Sequence, residues 1–359
     1  MTDTVDSLRP HASLPAEYPA ARPRRRTALV TGGSGYIGKY LVAALVEQGY
    51  FVRILDVAPP TERVPNTEYV AGSILDDTTV RRALNGVDTV FHLAAIPHLW
   101  AADVDDFDRI NRRGTELMLA AARSARVRRF VHCSTEAVLF APEPAVGAAD
   151  ESATVDLADM PGPYTRSKLL AERAALAAAR SGLNVVVVSP AIPVGPGDHN
   201  LTPPTAMLMH LKEHPSFYLD CILNLVDVRD VAAGMVLAAE RGRVGERYVL
   251  GGESVSFHDL LKLLEPQHKA LKKAKRVPAA IALVAGAVAE WIATYVTRRP
   301  PAATVEGVRL AVRSVPVSSR KAGRELGYLP SPVRLALSRS WFTLGQTGAV
   351  AAQHLDRVA

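Results

Sequence analysis

Four glycines fall within eight residues, TGGSGYIG at 31–38, where the strand-like run TALV gives way to the helix-like run KYLVAALVEQ. Glycine reaches backbone angles and close approaches that a Cβ forbids, so a turn this tight between strand and helix can aim free N–H groups at an anion. The spacing satisfies two templates at once. Gly33, Gly35 and Gly38 spell G-x-G-x-x-G, while Thr31, Gly32, Gly35 and Gly38 spell T-G-x-x-G-x-x-G, and both patterns bind dinucleotides. The next apolar run, FVRILD at 51–56, ends in Asp56, at the distance expected of a carboxylate that accepts both adenosine ribose hydroxyls. A carboxylate there repels a 2′-phosphate. NAD is therefore the expected cofactor, with Arg53 and Arg63 near enough to keep NADP as the alternative.

Between residue 27 and about residue 190, short apolar runs alternate with longer amphipathic segments: TALVT, FVRILD, EYVAG, VDTVFHLAA, RRFVHCST and NVVVVSP are the strand candidates. Such alternation predicts an α/β fold of Rossmann type, a doubly wound parallel sheet with helices on both faces. Beyond 190 the pattern loosens into AIPVGPGDHNLTPPT, then becomes mostly helical with one further strand candidate, ERYVL. We read four parts: a disordered leader at 1–26, the dinucleotide-binding domain at 27–190, a smaller, mainly helical substrate lobe at 191–330 with segments returning to the core, and a C-terminal tail at 331–359. A lobe at the carboxyl edge of the sheet would close over substrate.

A chain of 359 residues, 48% hydrophobic, can bury one large core or one core and a lobe. Two cysteines, Cys133 and Cys221, exclude a disulfide scaffold and read as reduced core thiols of a cytoplasmic protein. The net charge of +6 comes from local clusters, not from a basic face interleaved with aromatics, so no nucleic-acid partner is implied. The leader ends in RPRRR, but the apolar stretch that follows is too short for an export signal.

The chemistry concentrates at PGPYTRSKLLAER, residues 161–173, which places Tyr164 and Lys168 four residues apart at the start of a helix-forming run. That spacing puts phenol and ammonium on one helical face. A neighbouring ammonium favours phenolate and is expected to lower the tyrosine pKa, making a weak acid into a usable proton donor or acceptor. Taken alone, such a pair is commonly a solvated one.

TGGSGYIG, Asp56, HLAA at 92–95, Asn111 in RINRRGT, HCSTEAV at 132–138, YTRSK at 164–168 and SPAIPVGPGD at 189–198 come in the order seen in extended short-chain dehydrogenases/reductases, the NAD-dependent epimerase/dehydratase superfamily. The chain resembles them from 27 to about 328. GPGD, NLVDVRDVAAG and GERYVLGGE are similar to the branch holding 3β-hydroxysteroid dehydrogenases, dihydroflavonol reductases and hopanoid-associated epimerase-like proteins. The resemblance implies Tyr164 as catalytic acid/base, Lys168 as its assistant and a holder of the nicotinamide ribose, and Thr135, with Ser134 second, as the hydroxyl that polarises substrate. Either hydroxyl can donate to a developing oxyanion. It also implies cofactor contacts from Gly32, Gly35, Tyr36, Ile37, Gly38, Asp56, Ser73, Ile74, Leu93, Ala94, Ala95, Asn111, Pro190 and Ile192. A homodimer through a four-helix contact is expected, with 104–124 and 164–181 as candidate helices. Two departures stand out: Ser73 where the family usually has Asp, and Ser189-Pro190 where it often has Arg-Pro. His92 and His98 lack partners at ligand spacing, so no metal is expected.

Nucleotide-sugar enzymes of this superfamily must hold a pyrophosphate, which needs a cation in the lobe. Between 195 and 228 the only Lys or Arg is Lys212, amid TAMLMHL and SFYLDCILNLV, as expected of a site for a bulky apolar small-molecule substrate. KALKKAKR at 269–276 carries five basic residues before the apolar run VPAAIALVAGAVAEWIATYV at 277–296 and TRR. Residues 269–299 can therefore be a solvated turn and helix pair closing the lobe or a peripheral contact with a membrane surface; Glu290 argues against a span. A scaffold that binds dinucleotide without catalysis would have no need of Tyr164, Lys168 and Thr135 together.

Overall fold

The structure, a computed structural model, describes residues 25–142, 147–214 and 217–344. Of the leader expected at 1–26, all but the last two positions lie outside the described residues. The six strand candidates before residue 190 form β1 (Thr27–Thr31), β2 (Phe51–Asp56), β3 (Thr67–Ala71), β4 (Thr89–His92), β5 (Arg129–Cys133) and β6 (Val185–Pro190). Between them run α1 (Tyr36–Glu47), α2 (Asp77–Leu84), α3 (Gly114–Ser124), entered through a π-helical turn at Phe107–Arg113, and α4 (Pro163–Arg180). A strand that leaves one edge and returns through a helix re-enters in the same direction, so the sheet is parallel.

The second part holds β7 (Ile192–Val194), α5 (Pro203–Glu213), β8 (Phe217–Tyr218), β9 (Ile222–Asp227), α6 (Val228–Arg241), β10 (Arg247–Leu250) and β11 (Glu253–Ser256). It continues through α7 (Phe257–Leu264), β12 (Lys275–Arg276), α8 (Ala279–Ile292), α9 (Val305–Arg313), α10 (Arg320–Leu326) and α11 at 333–344. The main sheet has the order β10-β6-β5-β4-β1-β2-β3, all parallel. β1 lies between β2 and β4, so chain order reverses there, and the crevice beyond its carboxyl end is where such sheets take ligands.

One apolar layer packs α1, α6 and α10 on one face of the sheet, and a second packs α2, α3 and α4 on the other. β6 is buried along its whole length, as its valine run requires. ERYVL does not stay with the lobe: β10 extends the main sheet beside β6. The lobe proper is the sheet β11-β9-β7 with α5, α7 and α11 around a third apolar cluster.

Two expectations need correction. Residues 333–344, assigned to a tail, form α11, and Val333, Ala336, Leu337, Trp341 and Leu344 are buried in the lobe core. Their positions, i, i+3, i+4, i+8 and i+11, trace a helical stripe that the Pro-Ser-rich entry at 330–332 obscured. The apolar residues of TAMLMHL are likewise less available than expected, because Leu208 and Leu211 of α5 fill that same core and only Met207 and Met209 stay partly buried.

Candidate active site

After β1 the chain turns through Gly32 at φ +70°. A Cβ on Gly32 would lie 2.8 Å from the Ala94 backbone nitrogen, and one on Gly38 would lie 2.2 Å from the Gly32 carbonyl oxygen. Neither place admits a side chain. With the end of β4 and α1 both pressed on the turn, α1 starts at Gly35 with no side-chain cap and no acidic residue in its first turn. Its leading amides and the positive end of its dipole stay available to an anion. The Ser34 hydroxyl is buried here without a hydrogen-bond partner. This cradle fits a dinucleotide pyrophosphate. Tyr36 and Ile37 turn inward: the Tyr36 hydroxyl donates to the Gly195 carbonyl at 2.9 Å, and Ile37 packs on the core.

Asp56 closes β2 on the same edge, where its carboxylate accepts from the amides of Ser34 at 3.0 Å and Ala58 at 3.2 Å. It is the side chain that would hold the adenosine ribose. Arg53 points elsewhere, paired with Glu68 at 2.8 Å and donating to the carbonyls of Ala83 and Asn85, so it is not a free cation for a 2′-phosphate. Ser73 follows β3, its hydroxyl accepting from the Leu75 amide at 3.1 Å, and Ile74 is buried against Gly114. Leu93, Ala94 and Ala95 follow β4; the Leu93 amide donates to the Thr31 carbonyl and the Ala94 amide to the Thr31 hydroxyl. Pro190 ends β6 and Ile192 opens β7.

Asn111 is buried, with Oδ1 accepting from the Ile96 amide at 2.7 Å and Nδ2 donating to the Ser167 hydroxyl at 3.0 Å. It braces the loop after β4 against α4. His92 is hydrogen-bonded through both ring nitrogens, to Thr31 at 2.8 Å and Thr115 at 3.0 Å, and burial lowers its pKa to about 3. Burial lowers His98 as well. Among the described residues no three His, Cys, Asp or Glu side chains gather as a metal site would need.

α4 brings the chemistry to this edge. The Tyr164 ring meets Phe107 edge-on, centroids 6.3 Å apart, and the Thr135 hydroxyl lies near enough to the phenol to favour its ionised form. One turn on, the buried Lys168 ammonium donates to the Cys133 carbonyl at 2.7 Å. Ser134 faces away, donating to the buried Glu172, which Arg247 pairs at 3.0 Å. Chemistry alone left the two hydroxyls equivalent. Geometry separates them, since Thr135 meets the tyrosine and Ser134 does not.

The expected lowering of the tyrosine pKa is not found. Burial raises it above its ordinary value, the Thr135 hydroxyl opposes that, and Cys133, Glu306 and Glu136 raise it further. Lys168 is tied to a backbone carbonyl, and burial lowers its own pKa. Desolvation outweighs the ammonium that spacing suggested.

Sequence reasoning missed Glu306 altogether. From α9 its carboxylate accepts from the amides of Tyr164 at 3.1 Å and Thr165 at 2.8 Å and from the Thr165 hydroxyl at 2.7 Å, capping α4 at the end that carries Tyr164. Gly162, the residue before α4, has no side chain for that task, and a Cβ there would lie 2.4 Å from the Glu306 carboxyl. Arg309 and Arg313 of α9 hold the carbonyls of Pro161 and Asp159. Burial raises the Glu306 pKa. No motif links residues some 140 positions apart. The local hint was an acid in the first turn of a helix capped by Thr304.

Residues 28–251 match the NAD dependent epimerase/dehydratase family. The chain belongs to that family. It is an NAD-dependent enzyme of the extended short-chain dehydrogenase/reductase type. It is 34% identical over 329 residues to a putative dihydroflavonol 4-reductase of Synechocystis sp., covering 87% of this chain and 93% of that protein. It is 35% identical over 308 residues to a 4-hydroxy-2-methyl-3-oxo-4-farnesyl-3,4-dihydroquinoline-1-oxide ketoreductase of Stigmatella aurantiaca, covering 83% and 90%. The crystal structure of gox2253 superposes with a TM-score of 0.75 at 34% identity, over 89% of this chain and 98% of that one.

Proposed function

We propose that this enzyme interconverts a ketone and a secondary alcohol on an apolar molecule, isoprenoid, steroid-like or otherwise lipid-like. When bound, the nicotinamide exchanges a hydride with the substrate carbon. The Tyr164 phenol, held protonated at neutral pH by burial, donates its proton to the substrate oxygen. Thr135 donates a hydrogen bond to that oxygen as charge develops there. Lys168 holds its ammonium one turn from the phenol and, with the glycine turn, Asp56 and the Leu93–Ala95 run, would hold the cofactor.

The observation that carries the substrate class is the engagement of the cations at and around the 195–228 stretch. Lys212 donates to the Trp341 carbonyl at 3.2 Å and lies over that indole; Arg229 and Arg339 share Asp227. Lys39 of α1, which the 195–228 window overlooked, donates to the Gly197 carbonyl beside the buried Asp198. A pyrophosphate brought beside the 195–228 stretch would meet cations already engaged, and its desolvation would go uncompensated. The farnesylated substrate of the Stigmatella relative supports the same class.

The test is a screen of NAD(H)-loaded enzyme against hydroxysteroids, isoprenoid alcohols and their ketones beside UDP-, GDP- and dTDP-sugars. Turnover of a nucleotide sugar with none of any lipid would overturn the substrate class and leave epimerisation or dehydration as the reaction. Binding of NAD(H) should exceed that of NADP(H). The same reading places the enzyme in the cytoplasm as a homodimer through α3 and α4, where Leu117 is exposed, with a membrane surface touched through 269–299.

A further inference from the structure

α8 wears its apolar residues outward. Ile281, Val284, Val288 and Trp291, with Tyr295 on the π-helical turn Ala293–Thr297 that continues the helix, recur every three or four positions and are 60%, 66%, 53%, 59% and 71% exposed. They form a stripe about 20 Å long at the helical rise. On the side that meets α9, Gly286 fits within contact of the Thr304 backbone, and Glu290 accepts from the Val305 amide at 2.9 Å. A surface helix of a protein bathed only in water has the opposite arrangement. Between 266 and 305 Glu290 is the one carboxylate, against seven cations: Lys269, Lys272, Lys273, Lys275 and Arg276 before the helix, Arg298 and Arg299 after it. All seven are exposed, and among the described residues only Lys272 and Arg276 have carboxylate neighbours, Glu265 at 4.0 Å and Asp220 at 3.6 Å.

We infer that this face docks on a bilayer rich in anionic phospholipid, with α8 lying in the plane of the interface, and that it is the side from which a lipid-like substrate reaches the site. The inference rests on the proposed membrane contact and names its lipid and its residues. Charge decides against the other occupants. A second copy seated on the same face by a two-fold axis would set one basic cluster against another. A span would be long enough, since Ala279–Thr297 has a mean hydropathy of 1.7, but it would strip Glu290 of its amide and pull α8 off α9. An anionic surface satisfies both the stripe and its basic ends. α9, which follows, grips Tyr164 and Thr165 through Glu306, so docked helix and catalytic helix belong to one packed unit.

The full-length protein would be sedimented with vesicles of equimolar phosphatidylglycerol and phosphatidylcholine, and with phosphatidylcholine alone. We expect roughly tenfold or stronger preference for the anionic vesicles, falling as salt rises. V284D combined with W291D should abolish sedimentation, and K273E with K275E should remove the preference, with both proteins keeping the wild-type melting profile. Absence of wild-type binding overturns the inference. So does light scattering in which the Asp variant turns a dimer into monomers, because a second copy then covers the face, or retention in membranes through alkaline carbonate washing, which marks a span. None of these readouts uses turnover, so docking and reaction stand or fall separately.

Discussion

α4 turns a lysine, a glutamate, a threonine and a serine inward, whereas α8 turns isoleucine, valine, tryptophan and tyrosine outward. Both depart from the apolar-in, polar-out pattern of a helix in water. On α4 each departure is answered within the chain: Lys168 by the Cys133 carbonyl, Glu172 by Ser134 and Arg247, Thr165 by Glu306. On α8 nothing among the described residues answers the outward stripe. Sequence patterns break where function competes with folding, and the difference tells where the compensation lies. An inverted helix with internal partners marks a site inside the protein; one without them marks a surface completed by something else.

The sharpest test of the α4 half is Tyr164→Phe. It removes the proposed proton donor and keeps the ring against Phe107, so turnover should fall by about a thousandfold, within the usual range for a general acid, while cofactor binding by fluorescence titration is retained. Near-normal turnover would mean that α4 inverts for structure alone. Because burial raises the tyrosine pKa, the oxidation direction, which needs phenolate, should quicken as pH rises through and beyond neutrality, and reduction should not.

Lys168→Met separates function from stability. Turnover and cofactor affinity should both drop, kcat by tenfold or more, yet the melting temperature should hold or rise. The methionine ends the desolvation of a buried ammonium that burial already weakens. A collapse in stability instead would make Lys168 a brace for the Cys133 carbonyl.

Glu306→Gln is expected to cost about 2 kcal/mol, because one of two buried backbone donors loses its acceptor. The kcat should fall more than KM changes, since Tyr164 is what the cap positions. Its pKa is raised on folding, so the folded state holds the proton more tightly. The carboxyl's contribution is therefore full below the ordinary carboxylate range and declines as pH rises through the raised folded value. The lead of wild type over Glu306→Gln in melting experiments should shrink over that interval. An unchanged lead would show the group ionised throughout.

These residues also show what was legible beforehand. The glycine turn, Asp56 and the Tyr164–Lys168 spacing are local patterns whose geometry follows from one strand or one helix, and the carboxyl edge of a parallel sheet gathers them. Glu306 comes from a distant helix, and its partners are backbone amides, which carry no sequence signal. The direction of the tyrosine shift was missed for a related reason, since burial is set by Phe107 and the surrounding fold, while spacing records only neighbours on the helix. α11 had a readable stripe and was passed over because the residues before it look like a terminus.

The smallest expected effect lies on α8 and tests the comparison most directly. Without membranes the outward stripe contributes little to folding, because side chains more than half exposed have few partners to lose. Val284→Lys and Val288→Lys should each change unfolding free energy by no more than about 0.5 kcal/mol, as surface substitutions do. Gly286→Val, on the inward side, should cost about 1–3 kcal/mol, since even its Cβ would meet the Thr304 backbone at 3.2 Å and cannot move without parting α8 from α9. Denaturant unfolding read by far-UV circular dichroism gives all three values. If the outward lysines destabilise as much as the inward valine, the stripe is covered in solution by part of this chain or by another copy of it, and α8 joins α4 as a helix whose inversion is answered by protein. If they do not, the apolar face owes its place to a partner that folding does not require.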